Sequence, residues 1–200
     1  DVTDFMKEYE QELAKQPLAT KDYQHDLAFG QSILPRYYAD HQDILASNLF
    51  PEKNFSSDQI MVDDVPLVGK IDSITVLAAD SKQVHVIDYK TSNPDSKSAD
   101  LAKGGVYHRQ LLFYKLLCDN AKAFGYTAVS GEINFVRPSA KTDQFVHRKY
   151  EFTDEDVART RQEITTVYQH IQALDFLRPA AEKLCGECNW CQLLDGSTIA

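Results

Sequence analysis

The sequence predicts an α/β fold in which a mixed central β-sheet containing a three-stranded meander is flanked by helices. Three observations carry this reading. Apolar residues recur at helical spacing through the first quarter of the chain, alternating β-branched and polar residues fill residues 55–91, and two helix-prone segments follow with a second pair of strands between them. Two hundred residues suffice for one sizeable core. The chain is therefore expected to form a single domain over 1–200, with a helical lead-in over 1–50, a core over 55–176 and a cysteine-containing tail over 177–200.

The lead-in is expected to be helical because Phe5, Tyr9 and Leu13 fall four residues apart, and Leu27, Ile33, Leu34, Tyr37 and Tyr38 continue the habit. Pro35 is expected to kink or restart the second helix. The meander is expected from Gln59 to Val62, a turn at Asp63-Asp64, Leu67 to Leu77, a turn near Asp80-Ser81, and Val84 to Lys90. After a polar loop over 92–105, the segment from Gln110 to Cys118 is too long and too helix-prone for a strand and reads as a buried helix. Strands are expected at Glu132–Val136 and Gln144–Tyr150. A helix follows with Thr153 as N-cap and Asp156 three residues on, running from Asp154 to Leu174.

Composition excludes several classes. Hydrophobic residues make up 43% of the chain, and no run approaches the roughly 18 consecutive apolar residues of a membrane span. A membrane protein and a mostly disordered one are both excluded. The net charge of −9 repels polyanions at long range, so any contact with nucleic acid has to be local. No signal peptide opens the chain, and three of its four cysteines crowd into Cys185-Gly-Glu-Cys188-Asn-Trp-Cys191, a reduced-thiol or metal-ligand usage that suits a cytoplasmic protein. The start at Asp1 rather than Met suggests excision from something longer.

The most informative stretch is Gly69-Lys-Ile-Asp72 followed by Asp88-Tyr-Lys90-Thr91. Strand alternation places Asp88 and Lys90 on one face. A hairpin centred on Asp80 sets Asp72 opposite Asp88, Ile74 opposite Val86 and Val76 opposite Val84, so two carboxylates sit side by side with a lysine one step away. Like charges facing each other among Val and Ile need a reason, and a divalent cation supplies one. Mg²⁺ or Mn²⁺ takes a few hard oxygen ligands, leaves positions to water and phosphate, and activates water. The plainer alternative has Asp72 and Asp88 salt-bridged to Lys70 and Lys90 at strand ends.

These residues resemble a family. Gly-x-x-Asp, Asp-Tyr-Lys-Thr after a short hairpin, Gln110 and Tyr114 four residues apart on the next helix, and a C-terminal Cys-x-x-Cys together resemble the RecB-like branch of the PD-(D/E)xK nucleases. The resemblance implies a restriction-endonuclease-like core and a metal-dependent DNA nuclease. It implies Asp72, Asp88 and the backbone carbonyl of Tyr89 as metal ligands, Lys90 beside the nucleophilic water, and Gln110 and Tyr114 lining the site. It also implies a helicase in the same chain or in a partner subunit, of the UvrD/Rep or AddAB type, and work in DNA repair or recombination. The alternative is a catalytically silent, nuclease-derived DNA-binding or scaffolding module.

Departures from the family pattern sharpen the expectations. Ser73 stands where relatives often carry Arg. The Gly-x-x-x-His of the family has no counterpart, because Leu34 follows Gly30 by four residues, so the histidine is expected upstream of this chain. Cys185 and Cys188 fit the iron–sulfur spacing of some members, but Leu194 stands at the third place and Cys191 comes too soon. An iron–sulfur cluster or Zn²⁺ at Cys185, Cys188 and Cys191 is possible but not favoured, and Cys118 reads as a core residue. Phosphate contacts are expected from Arg109, Arg137, Lys141, Arg148 and Lys149, without base readout.

Overall fold

The computed structural model describes residues 1–42, 49–78 and 80–175. The expectations placed on Cys185, Cys188 and Cys191 lie outside these residues. Two N-terminal helices, α1 (Val2–Ala14) and α2 (Thr20–Asp40), precede β1 (Leu49–Asn54), β2 (Ile60–Val62), β3 (Val65–Leu67), β4 (Lys70–Ala78) and β5 (Gln83–Lys90). A 3₁₀ turn (Pro94–Ser96) and α3 (Val106–Asn120) lead to β6 (Thr127–Phe135), β7 (His147–Glu151) and α4 (Asp154–Ala173). Contacts group residues 1–160 in one compact unit and 161–200 in a second, the boundary falling inside α4.

The predicted α/β class holds: one mixed sheet has the order β1-β4-β5-β6-β7. Only β5 and β6 run parallel. A parallel pair cannot be joined by a tight turn, and the crossover here contains α3. The predicted hairpin register also holds, with Ser73 paired to Ile87, Ile74 to Val86 and Val76 to Val84 before a bulge at Ala78. Val and Ile alternation fixes it, since a one-residue slip would turn Ile74, Val84 and Val86, all fully buried, to the other face.

The first strand of the meander is corrected. Residues 60–62 pair with 65–67 in a separate two-stranded sheet, and β1 takes the place beside β4. Asp63 and Asp64 both adopt left-handed φ, 48° and 66°, which closes a tight hairpin on itself. Gly69 then separates β3 from β4. A Cβ at Gly69 would lie 2.5 Å from Leu117 Cδ1, so α3 packs directly on that backbone. The helix does not restart at Pro35: α2 continues through it to Asp40. The turn beyond Pro35 is anchored by the Tyr37 hydroxyl donating to Asn134 Oδ1 at 2.9 Å and by Arg36 pairing with Asp143 at 3.1 Å.

Helix α3 lies on one face of the sheet and buries Leu111, Leu112, Leu116, Leu117 and Cys118. Burial pushes the Cys118 thiol up to about 12, as suits an inert core residue. Thr153 caps α4 as predicted, accepting from the Asp156 backbone N–H at 3.2 Å while its hydroxyl donates to Asp156 Oδ2 at 2.6 Å.

His108, on the first turns of α3, is fully buried, and its Nδ1 accepts the Gly104 N–H at 3.0 Å. Burial lowers its pKa, and the neutral ring is the form that can accept that bond. Below the ordinary histidine value of about 6.5 the unfolded chain binds a proton that the folded chain refuses, so stability falls as pH falls. Urea midpoints are expected to drop between pH 7.5 and 5.5, and His108→Gln, which keeps an acceptor, to reduce that drop.

Candidate active site

The two strands and α3 bring the predicted acids, lysine, glutamine and tyrosine together. The β4–β5 ladder ends at Ser73–Ile87, and one step further the Tyr89 backbone N–H donates to Asp72 Oδ2 at 2.9 Å. Asp72 thus spends one carboxylate oxygen on the strand that carries Asp88. Asp88 is 2% exposed. Its Oδ1 accepts from Gln110 Nε2 at 2.7 Å and from the Tyr114 hydroxyl at 2.9 Å, while Lys90 Nζ stands 2.5 Å from Oδ2. Lys90 also donates to Gln110 Oε1 at 3.0 Å, closing a ring of four side chains.

Helical geometry explains the pairing of Gln110 with Tyr114. Residues four apart share a face, and Gln110 Nε2 reaches the Tyr114 oxygen at 3.0 Å. Both then converge on one carboxylate oxygen. Burial, followed by the Asp88 charge, pushes the Tyr114 phenol far above its ordinary range, so it stays a donor. Burial likewise raises Asp72, and the charges of Asp88 and Glu52 add to that rise against the Tyr89 N–H bond and Lys90. Burial of two carboxylates this close is costly without a positive charge, and Lys90 is the one the chain supplies.

Two contributors were missed in the sequence. Tyr107 lies one turn before Gln110, and Lys90 Nζ sits 5.1 Å from the centre of its ring. Its spacing to Gln110 and Tyr114, three and seven residues, was the available signal. Glu52 comes from β1, the strand that escaped recognition, and adds a third negative charge near Asp72.

The predicted phosphate-binding residues are scattered. Arg109 is exposed beside Gln110, and Lys141 is exposed in the loop before β7. Arg137 lies over the Phe29 ring at 4.9 Å and lines a cavity of about 430 Å³ together with Thr91, the residue after Lys90. Arg148 lies over Tyr150, 5.6 Å from the ring centre. Lys149 is not brought to the acids: it points to Glu132 on the opposite face of the sheet. Neither His25, exposed and paired with Asp26, nor His41, stacked on Tyr37, is brought to Asp72 or Asp88 by any of these contacts.

The donor set suits a hard divalent cation. Asp88 Oδ2 is buried and pairs with the Lys90 ammonium, and Asp72 has one oxygen uncommitted to Tyr89. Two carboxylates offer oxygen only, as Mg²⁺ and Mn²⁺ prefer. Among the described residues no group of three or more His, Cys, Asp or Glu is placed to hold a metal ion by itself.

A mixed sheet flanked by helices, with two acids and a lysine at the end of its central hairpin, is the arrangement of a restriction-endonuclease-like core. The chain belongs to the PD-(D/E)XK nuclease superfamily, whose profile it matches over residues 2–194. Among solved structures, the crystal structure of SSO0001 is similar, with a TM-score of 0.39 and 18% identity over 95% of this chain and 76% of that one. No curated protein matches the sequence.

Tyr114→Phe removes one of two neutral donors to Asp88 and leaves Gln110 in place. A hydrogen bond to a charged group contributes about 1.5–3 kcal/mol, so a loss of roughly ten- to a hundredfold in single-turnover cleavage is expected, with KM unchanged.

Proposed function

We propose that this domain is a metal-dependent DNA nuclease of the RecB-like branch, cleaving phosphodiester bonds without base readout. One observation carries the reading: Asp88 is held by Gln110 and Tyr114 through one carboxylate oxygen and by Lys90 through the other, beside an Asp72 fixed by the Tyr89 N–H. Superfamily membership supports it. Asp72, Asp88 and the Tyr89 carbonyl are the residues that would hold Mg²⁺ or Mn²⁺. Such an ion supplies Lewis-acid polarisation of the phosphate and a water acidic enough to attack at neutral pH.

The side chains do the rest. Lys90 places a positive charge where negative charge develops on the phosphate, and Gln110 and Tyr114 hold Asp88 in orientation. Tyr107, stacked against the Lys90 ammonium, limits where that charge can swing. Arg109 on α3 and Arg137 at the Thr91 cavity are the proposed backbone contacts nearest these elements. A net charge of −9 leaves little general attraction for DNA, which agrees with a helicase, in the same chain or beside it, delivering the strand.

The test is cleavage of end-labelled linear single- and double-stranded DNA in Mg²⁺ and in Mn²⁺, with EDTA as control. Cutting that requires the metal supports the proposal. Mn²⁺ binding that needs Asp72 and Asp88 without any cutting would identify a silent, nuclease-derived DNA-binding or scaffolding module instead.

A further inference from the structure

The first two helices and the end of the sheet enclose a cavity that the ring around Asp88 does not use. Helices α1 and α2 are locked together on one side of it. A Cβ at Gly30 would lie 2.2 Å from Tyr9 Cζ, so the phenol ring rests on the α2 backbone, and its hydroxyl donates to the Asp26 carbonyl at 2.6 Å. With that polar atom spent, Tyr9 contributes ring surface to the lining. On the other side the Val136 N–H donates to the Lys90 carbonyl at 3.0 Å, which carries the parallel pairing of β5 and β6 one residue past their ends. Thr91, Val136 and Arg137 form this second wall. The cavity, about 430 Å³, therefore lies at the carboxyl ends of a parallel pair, where open α/β sheets take their ligands.

The lining sorts into two parts. Leu13, Phe29, Leu34 and Val136, with the Tyr9 ring, make most of it apolar. Asp26, paired with His25 at 3.1 Å, puts a carboxylate at the helical side and disfavours an anion there. Arg137 puts the opposite charge at the sheet side, 4.9 Å from the centre of the Phe29 ring, and among the described residues it makes no hydrogen bond or ion pair. A guanidinium held over an aromatic ring keeps its N–H donors for a phosphate. An uncharged flat group on the aromatic floor and one phosphate at Arg137 are the two parts of a nucleotide.

We propose that this cavity receives one unstacked base of the substrate strand on Phe29, with Arg137 on its phosphate, so that single-stranded DNA or an unpaired end is the substrate of this domain. The inference rests on the reading of the chain as a DNA nuclease and adds the state of the strand to it. Thr91 lines the cavity and follows Lys90, whose ammonium pairs with Asp88, so a strand seated here is led toward the acid pair. The volume is at the small end of ligand pockets and suits one base with its sugar. A duplex keeps its bases stacked and paired, and extruding one has a free-energy cost that a single strand does not bear. Stacking on an aromatic ring accepts any base, since each has a π-face, which agrees with cleavage without base readout.

The test measures binding to the whole chain in EDTA, by fluorescence anisotropy, of a labelled oligo-dT, of an abasic sugar-phosphate strand of the same length, and of a closed hairpin duplex. Oligo-dT is expected to bind about tenfold more tightly than either of the others. Phe29→Leu, which keeps an apolar side chain, should erase the advantage over the abasic strand, and Phe29→Tyr should keep it. Arg137→Gln should weaken oligo-dT and the abasic strand alike, whereas Lys21→Gln, the same loss of charge at an exposed site on α2, should weaken neither. The wild-type comparison needs no substitution and decides the matter even where Phe29→Leu unfolds. Equal affinity for oligo-dT and the abasic strand would overturn the base pocket. Cleavage assays in Mg²⁺ and Mn²⁺ separate this from the nuclease reading. A wild type that cuts DNA but binds the two strands equally keeps the nuclease and loses the pocket, while one that prefers oligo-dT through Phe29 and cuts nothing keeps the pocket and loses the nuclease.

Discussion

Replacing Asp88 with Asn is expected to abolish metal-dependent cleavage while leaving a folded protein. Asn keeps the shape and can still accept from Gln110 and Tyr114 through its carbonyl oxygen, so the hydrogen-bonded ring around position 88 survives in outline. What disappears is the charge. Lewis-acid stabilisation by a bound cation is worth several kcal/mol, and at about 1.4 kcal/mol per tenfold its loss lowers the single-turnover rate about a thousandfold. Some stability should be lost, because the Asn Nδ2 then faces the Lys90 ammonium that Oδ2 had paired, although removal of the Asp88 charge also relieves Asp72, whose pKa it helps to raise. Calorimetric Mn²⁺ titration beside the cleavage assay separates lost metal from lost chemistry: weak Mn²⁺ binding is the expected result, and unimpaired cutting would remove Asp88 from the mechanism.

The second large effect is expected far from any charge. Gly105 caps α3, and a Cβ there would lie 2.5 Å from the Asp100 carbonyl oxygen, 2.6 Å from that of Ala99 and 2.9 Å from that of Ala102. All three are backbone atoms, so no side chain can swing aside. Gly105→Ala should therefore cost about 1–3 kcal/mol through overpacking, a melting shift of several degrees in a chain of this length. The loop can only relieve the clash by moving the first turn of α3, which carries Tyr107 and leads into Gln110. A misplacement near 1 Å costs about a hundredfold in rate, so activity should fall further than stability predicts. Gly104→Ala is the comparison. Gly104 has φ +85° and open space around it, so Ala there strains the backbone without pushing on α3 and should spare the rate.

The hairpin and its acids were legible because every local signal agreed. Val and Ile alternate on both strands, Asp80 and Ser81 mark the turn, and the register they imply is the one formed. The Gln110–Tyr114 pair was legible for the same reason, since helical spacing alone puts both on one face. β1 was not, because Leu49–Asn54 contains Pro51, Glu52 and Lys53 and has no apolar alternation. It is held by pairing with β4, a partner some twenty residues away that no local pattern announces. The polar face was equally hidden. His85 and Glu132 alternate with apolar neighbours as solvent-facing strand residues do, and the end of α2, through Tyr37 bonded to Asn134, covers that face beside an exposed His147. Pro35 misled because propensity describes an isolated helix, whereas Tyr37 and Arg36 tie the turn after it to β6 and the loop before β7.

The same features that concealed β1 have a consequence for behaviour at high concentration. β1 and β7 form the two edges of the five-stranded sheet, where unpaired backbone groups invite a strand from another molecule. Pro51 offers no N–H, and Glu52 interrupts the pairing of β1 with a left-handed φ of 52°. On the other side His147, Arg148 and Lys149 would meet the like side chains of an antiparallel copy. Both borders of the sheet thus discourage growth of cross-strand aggregates, and concentrated solutions of this domain should stay free of fibrillar material.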